Sequence, residues 1–373
     1  MQREQLERKI RVAMIGHRGV PATYGGVERH VEELATRLVS LGFEVLVLCR
    51  SSYTPPRKEY RGVEIICLPT INQKHVEMIV HTFLCILHLL FLRRVDIIHI
   101  HSVDPAILTP LAKLGGKVVV TSHGQAYRRE KWGPAAKAMS QWAERVFVRW
   151  ADGAISVSKT LRAYYQKRYG REVTYIPNGV NVMEPGGHDE LAKMDLSPDG
   201  YVLYVGRLVP TKGAHTLIEA FQGIQSNLKV AIAGGSSHTS EYVDRLEGLL
   251  NDRVRLLGYQ YGAALQQLYE NCRLFVLPSQ IEGLPITLLE AMSYGKPILF
   301  SDIPENLEAA EGVGVSFHSG DADDLRDKLV WCFEHPDEML ELGSKARERV
   351  IRDYAWDQIA EQHADLYRSV LAR

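Results

Sequence analysis

In the last third of the chain the sequence reads EGLPITLLE, with carboxylates at Glu282 and Glu290 on either side of a Gly283-Leu284-Pro285 step and an apolar run. Pro285 suits the first turn of a helix, and Gly283 loosens the approach to it. Glu282 then stands at the helix mouth and Glu290 more than a turn inside, about 10 Å apart at the helical rise per residue. The paired carboxylates of retaining glycosidases are ~5–5.5 Å apart, so this spacing argues against a shared acid/base role. Two separate ligand contacts fit better, with the N–H groups of the helix N-terminus between them for an anion.

Three further stretches carry chemistry. GRLVPTKG, Gly206 to Gly213, does not meet the phosphate-loop pattern G-x-x-x-x-G-K-[ST], yet it sets Arg207 and Lys212 where a strand end meets a helix. Arginine can hold two phosphate oxygens at once, and lysine supplies a compact point charge. Isolated cations are usually solvated, but two of them between flanking glycines favour an anion contact. VVVTSHG places His123 at the end of an apolar run, followed by Gly124. A lone histidine is more often structural, whereas a strand-end histidine in a first domain would face an interdomain cleft. GHRGVPATYGGVERH, residues 16 to 30, holds Gly16, Gly19, Gly25 and Gly26 before a helix whose free N–H groups attract anions. A loop of about ten residues is long for a strand-to-helix connection, which points to function. It is not G-x-G-x-x-G, so a dinucleotide site is disfavoured.

The elements that must position these residues fall into two series of strand-like runs. The first is Val12–Gly16, Glu44–Cys49, Val63–Leu68, Asp96–His101, Lys117–Ser122 and Ala154–Ser158. The second is Tyr201–Gly206, Leu228–Ala233, Arg253–Gly258, Arg273–Pro278, Lys296–Ser301 and Val313–His318. The runs are almost continuously apolar, as expected of strands covered on both faces. Helical patterns lie between them; Val27, Val31, Leu34, Leu38 and Leu41 recur at three and four before Gly42. This alternation predicts two α/β domains with doubly wound parallel sheets. Ligands in such sheets bind at the carboxyl ends of strands, where all four stretches lie.

At 373 residues, two domains are the expectation. The balance of 44 Lys+Arg against 45 Asp+Glu gives no global attraction to nucleic acid. Five scattered cysteines without a short pair argue against disulfides and zinc sites and for a reducing cytoplasm. The charged N-terminus contains no signal-peptide pattern. Met78–Leu92, MIVHTFLCILHLLFL, is too short to span a bilayer and reads as a buried helix or as one resting on a membrane. From Tyr127 to Trp150 there are six Lys/Arg against two Glu, interleaved with aromatics. This is either a solvated helix face or a surface for a phosphate-bearing or membrane-embedded acceptor.

These motifs resemble the family 4 glycosyltransferases, retaining enzymes of GT-B fold, over nearly the whole chain. The likeness rests on GVPATYGGVE, TSHG, IPNGV, GRLVPTKG and above all EGLPITLLEAMSYGKPI, a variant of the family's Glu-x7-Glu signature. The front segment is also similar to a rhamnosyltransferase-like subgroup. The resemblance implies two Rossmann-like domains facing an interdomain cleft: residues 1–180 with 356–373 for the acceptor, and 181–355 for the nucleotide sugar. It implies that Gly206, Arg207 and Lys212 hold the donor diphosphate, that Gly25 and Gly26 approach the phosphates, and that His123 lies beside the transferred sugar. Glu282 with Gly283, Leu284 and Pro285 would hold the sugar, and Glu290 the ribose hydroxyls. Many members read Glu-Gly-Phe-Gly where this chain has Leu284-Pro285, which bears on the sugar pocket. Arg18, Tyr24, Tyr127, Arg128 and Lys131 are assigned to the acceptor, a glycan or lipid-linked sugar at the cytoplasmic membrane face.

No Asp-x-Asp pair suits a divalent metal at a strand end, so Arg207 and Lys212 would replace one, and no cofactor is expected beyond the nucleotide-diphosphate sugar substrate. An epimerase of the same fold and a non-catalytic nucleotide-sugar sensor are the alternatives.

Overall fold

Apolar runs flanked by glycine-bearing loops form two parallel sheets, each in its own unit: Met1–Asn178 with Trp356–Arg373, and Gly179–Ala355. The computed structural model describes residues 8–22, 25–71, 73, 77–125, 133–183, 186–235 and 240–373.

The first unit contains strands β1 (Arg11–Ile15), β2 (Glu44–Arg50), β3 (Glu59–Tyr60), β4 (Val63–Leu68), β5 (Ile97–His101), β6 (Lys117–Ser122), β7 (Gly153–Ser156) and β8 (Thr174–Tyr175). They lie in the order β3-β4-β2-β1-β5-β6-β7-β8. All neighbours are parallel except β3 and β4, a departure from the all-parallel expectation. Arg61 and Gly62 at the tip of that hairpin both take positive φ, which lets so short a turn reverse the chain. β3 and β8 have two residues each, too short to leave a pattern in the sequence.

β5 is buried along its whole length because helices cover both sheet faces. Val31, Leu34, Ala35 and Leu38 of the helix Gly26–Ser40 pack on one face with Val12 and Met14. The last helix, Trp356–Leu371, contributes Trp356, Ile359 and Tyr367 to the same core, so the chain's end completes its first unit. The helix Glu77–Phe91 buries His81, Cys85, Ile86 and Leu89. Its other side leaves Phe83 exposed, and Phe91 and the adjacent Leu92 are 80% and 71% exposed. No helix among the described residues is long and apolar enough to cross a membrane.

The second unit contains β9 (Tyr201–Val205), β10 (Lys229–Ala233), β11 (Val254–Gly258), β12 (Leu274–Leu277), β13 (Ile298–Ser301) and β14 (Val315–Phe317). The order β11-β10-β9-β12-β13-β14 is wholly parallel and reverses direction between β9 and β12. The first sheet reverses between β1 and β5. Such switch points leave a crevice beyond the strand ends, and all four motif stretches lie beside these two. All five cysteines are unpaired.

Candidate active site

In the second unit the chain leaving β9 is pinned before it can wander. Gly206 N–H donates to Ala233 O and Leu208 N–H to Gly235 O, both at 3.0 Å, while the buried Tyr204 hydroxyl donates to Arg207 O at 3.1 Å. Gly213 then turns the chain at φ +72°, against the carbonyl of Pro278 that follows β12. Gln280 N–H donates to Thr211 O at 2.9 Å, so the loops after β9 and β12 are joined. Arg207 and Lys212 therefore sit on one side of the switch point and Glu282 on the other.

Lys212 Nζ forms an ion pair with Glu282 Oε1, their side chains 17% and 10% exposed. The sequence placed these two groups as independent contacts; the fold makes them partners. Arg207 is exposed and has no side-chain partner among the described residues. Pro285 caps the helix Ile286–Ser293 rather than lying in its first turn. No side chain caps that helix, so its leading N–H groups remain available for an anion. Leu284, just before it, is buried. Glu290 lies in the helix's second turn, where Oε2 accepts the Tyr269 hydroxyl at 2.8 Å. Burial and that carboxylate push the Tyr269 phenol well above its usual range, so it stays a donor. Tyr294 stacks on Tyr269 with ring centroids 5.8 Å apart.

In the first unit the loop after β1 is held by carboxylates of the helix it feeds. Glu28 Oε1 accepts Arg18 N–H at 3.2 Å. Burial raises the Glu28 carboxyl. Gly25 occupies the cap position at φ +80° and Gly26 opens the helix, both exposed. Gly16, at φ +84°, lets this loop pass β5, since a Cβ there would meet His101 O at 2.9 Å. The Arg18 guanidinium lies over the Tyr53 ring, 5.2 Å from its centroid. Tyr24, Tyr127, Arg128 and Lys131 lie outside the described residues.

His123 is half-buried just beyond β6, and its Nε2 is 3.4 Å from His101 Nδ1 at the end of β5. It is not a lone histidine. The His30 ring centroid is 4.7 Å from that of His123 and 5.6 Å from those of His101 and His363. The His99 ring lies tilted against that of His101, centroids 3.9 Å apart, and His99 bridges the Tyr367 and Thr121 hydroxyls, 2.7 Å from each. Desolvation, reinforced by neighbouring imidazoles, holds His30, His99 and His101 well below the ordinary histidine range, with His17 and His123 at about 3. The cluster is therefore neutral at pH 7. Sequence reading singled out His123 alone; the available signal was DIIHIHS, two histidines inside an apolar strand.

The comparisons with known proteins agree along both units. The family model "Glycosyltransferase Family 4" matches residues 24–184, and "Glycosyl transferases group 1" matches 192–349. The alpha-maltose-1-phosphate synthase of Mycobacterium tuberculosis is 27% identical, over 97% of this chain and 100% of that protein. The phosphatidyl-myo-inositol mannosyltransferase of Mycobacterium leprae is 26% identical over 93% of each. Among solved structures, the sucrose-phosphate synthase of Thermosynechococcus elongatus superposes with a TM-score of 0.86 at 24% identity, covering 98% of this chain and 100% of that one. HepE of Anabaena with UDP-glucose gives 0.79 at 17%, covering 96% and 100%. The fold is GT-B. With two adjoining family models and relatives matched almost end to end, the chain belongs to the family 4 glycosyltransferases.

Proposed function

We propose that this glycosyltransferase moves a sugar from a nucleoside-diphosphate donor to an acceptor hydroxyl with retention of configuration and without a metal ion. The observation that carries the reading is the β9/β12 switch point. There an exposed Arg207, the Lys212–Glu282 pair and a helix N-terminus without a side-chain cap are joined by one hydrogen-bonded pair of loops. Breaking a sugar–diphosphate bond creates an anionic leaving group, and prepositioned cations and N–H dipoles stabilise that charge as it develops. Arg207 and Lys212, with Gly206, take the diphosphate. Glu282 and the backbone at Gly283, Leu284 and Pro285 take the sugar, and Glu290 the ribose hydroxyls. We assign Gly25 and Gly26 to the donor phosphates and His123 to the transferred sugar.

In the reaction the bond from the anomeric carbon to the phosphate oxygen breaks while the acceptor oxygen bonds to that carbon on the same face. The acceptor's proton passes to the departing phosphate oxygen. Arg207→Ala combined with Lys212→Ala should lower kcat/KM by a factor on the order of 10² to 10⁴. Unchanged transfer in that variant, or transfer that stops on chelation, overturns the reading.

The HepE structures hold UDP and UDP-glucose, which supports nucleotide sugars as the donor class to screen. A bound donor at 100 times its Kd should stabilise the fold by about 2.7 kcal/mol. The acceptor we assign is a glycan or lipid-linked sugar of surface-polysaccharide synthesis, met at Arg18 and along the basic stretch. Exposed Phe83, Phe91, Leu92 and Leu114, with Arg93 and Arg94 alongside, support contact with an anionic membrane surface. Co-sedimentation with anionic but not neutral vesicles is expected; equal recovery with both would remove that part.

A further inference from the structure

We infer that His30, His101 and His123 form a three-imidazole site for a divalent transition metal ion of the zinc type, with its open position on the solvent side of His123. One ring nitrogen from each of the three lies within 4.8 Å of the others. The shortest separation, His101 Nδ1 to His123 Nε2, is 3.4 Å. Two imidazoles bound tetrahedrally to zinc at about 2.05 Å place their nitrogens roughly 3.3 Å apart.

His30 carries the second, independent observation. Its Nδ1 is 3.1 Å from the Asn178 side-chain oxygen, an acceptor, so Nδ1 holds the ring's proton. The lone pair is thereby on Nε2, which is buried and has no hydrogen-bond partner among the described residues. A ligating histidine ordinarily directs its other N–H at an orienting oxygen, and Asn178 supplies one. The three residues come from a helix, the end of β5 and the residue after β6, so the backbone sets their placement rather than a long loop. Neutral imidazoles suit zinc, and His123 is the least buried of the three, the side from which a fourth ligand such as water would come.

A metal held there would occupy His123. The inference thus adds regulation to the reading of His123 as the residue beside the transferred sugar, and its inhibitory part rests on that reading. The ion would restrain transfer and take no part in it.

The test begins with the full chain stripped of metal and titrated with cobalt(II), which reports four-coordinate nitrogen ligation by its visible absorption. One equivalent should bind and be displaced by zinc. X-ray absorption of the zinc form should count three imidazoles; none bound, or a count of one or two, overturns the site. Asn178→Ala should weaken binding about 10–100-fold, and His30→Gln or His101→Gln by at least that much. Unaltered affinity in all three also overturns it. Transfer is then compared with and without zinc within each folded variant. If wild type binds through three imidazoles yet transfers equally well with zinc, the metal site stands and the assignment of His123 to the sugar falls.

Discussion

Glu290 illustrates how much a single residue's role depends on what holds it. Its Oε2 accepts the Tyr269 hydroxyl at 2.8 Å, and Tyr269 is itself buried and stacked on Tyr294. Tyr269→Phe keeps the ring and removes the donor. A hydrogen bond to a charged acceptor contributes about 1.5–3 kcal/mol, so urea unfolding should show a loss of that size. Glu290 is assigned to the ribose, remote from the bond that breaks. The kinetic effect should therefore be a several-fold rise in donor KM with kcat little changed. A fall in kcat at constant KM would place Glu290 at the reacting centre instead. The Lys212–Glu282 pair makes the opposite point, because each partner neutralises the other until a ligand arrives. A diphosphate competing for Lys212 would release Glu282 toward the sugar hydroxyls, coupling the two contacts on one donor.

Elements are where the sequence was most readable. The continuous apolar runs marked every strand that has more than two residues, because burial on both faces demands them. The glycine-flanked loops were equally legible, and the strand order shows why they matter. Gly213 joins the two: at φ +72° it brings the loop after β9 against Pro278 O, where any Cβ would overlap that carbonyl. Gly213→Ala should destabilise the second unit by roughly 2–4 kcal/mol, through backbone strain plus the clash. Denaturant unfolding of the variant checks it, and a loss under about 0.5 kcal/mol would show that the two loops are not rigidly joined. What stayed illegible were pairings set by tertiary structure. Lys212 and Glu282 are seventy positions apart, and His99 meets Tyr367 across 268. The period of a strand put His99 and His101 on one face, but only the return of the last helix shows what covers them.

At the scale of the whole molecule, the buried histidines tie the stability of the first unit to pH. Burial lowers His17 and His123 to about 3 and His363 to about 4, from an ordinary value of 6.5. Above about pH 6.5 these imidazoles are neutral folded or unfolded, and the full stability is present. As pH falls from there toward 4, the unfolded chain takes up protons that the folded unit does not, so folding weakens. Each such histidine removes up to about 1.4 kcal/mol per pH unit within that window. Glu28 and Glu144 work in the opposite sense, since their raised carboxyls bind a proton more readily when folded, but they are two groups against the larger set of buried histidines. Most carboxylates remain ionised above about pH 5, which separates this effect from ordinary acid denaturation. Urea midpoints measured from pH 7 to pH 5 should therefore fall steadily. His363 is 2.8 Å from Ile359 O through Nδ1, with Nε2 buried and without a hydrogen-bond partner among the described residues. His363→Gln should keep a polar side chain there while removing one titrating group, giving a shallower slope than wild type. A wild-type midpoint that stays flat to pH 5 would mean the cluster accepts protons in the folded state, and the neutral network described for it would be wrong.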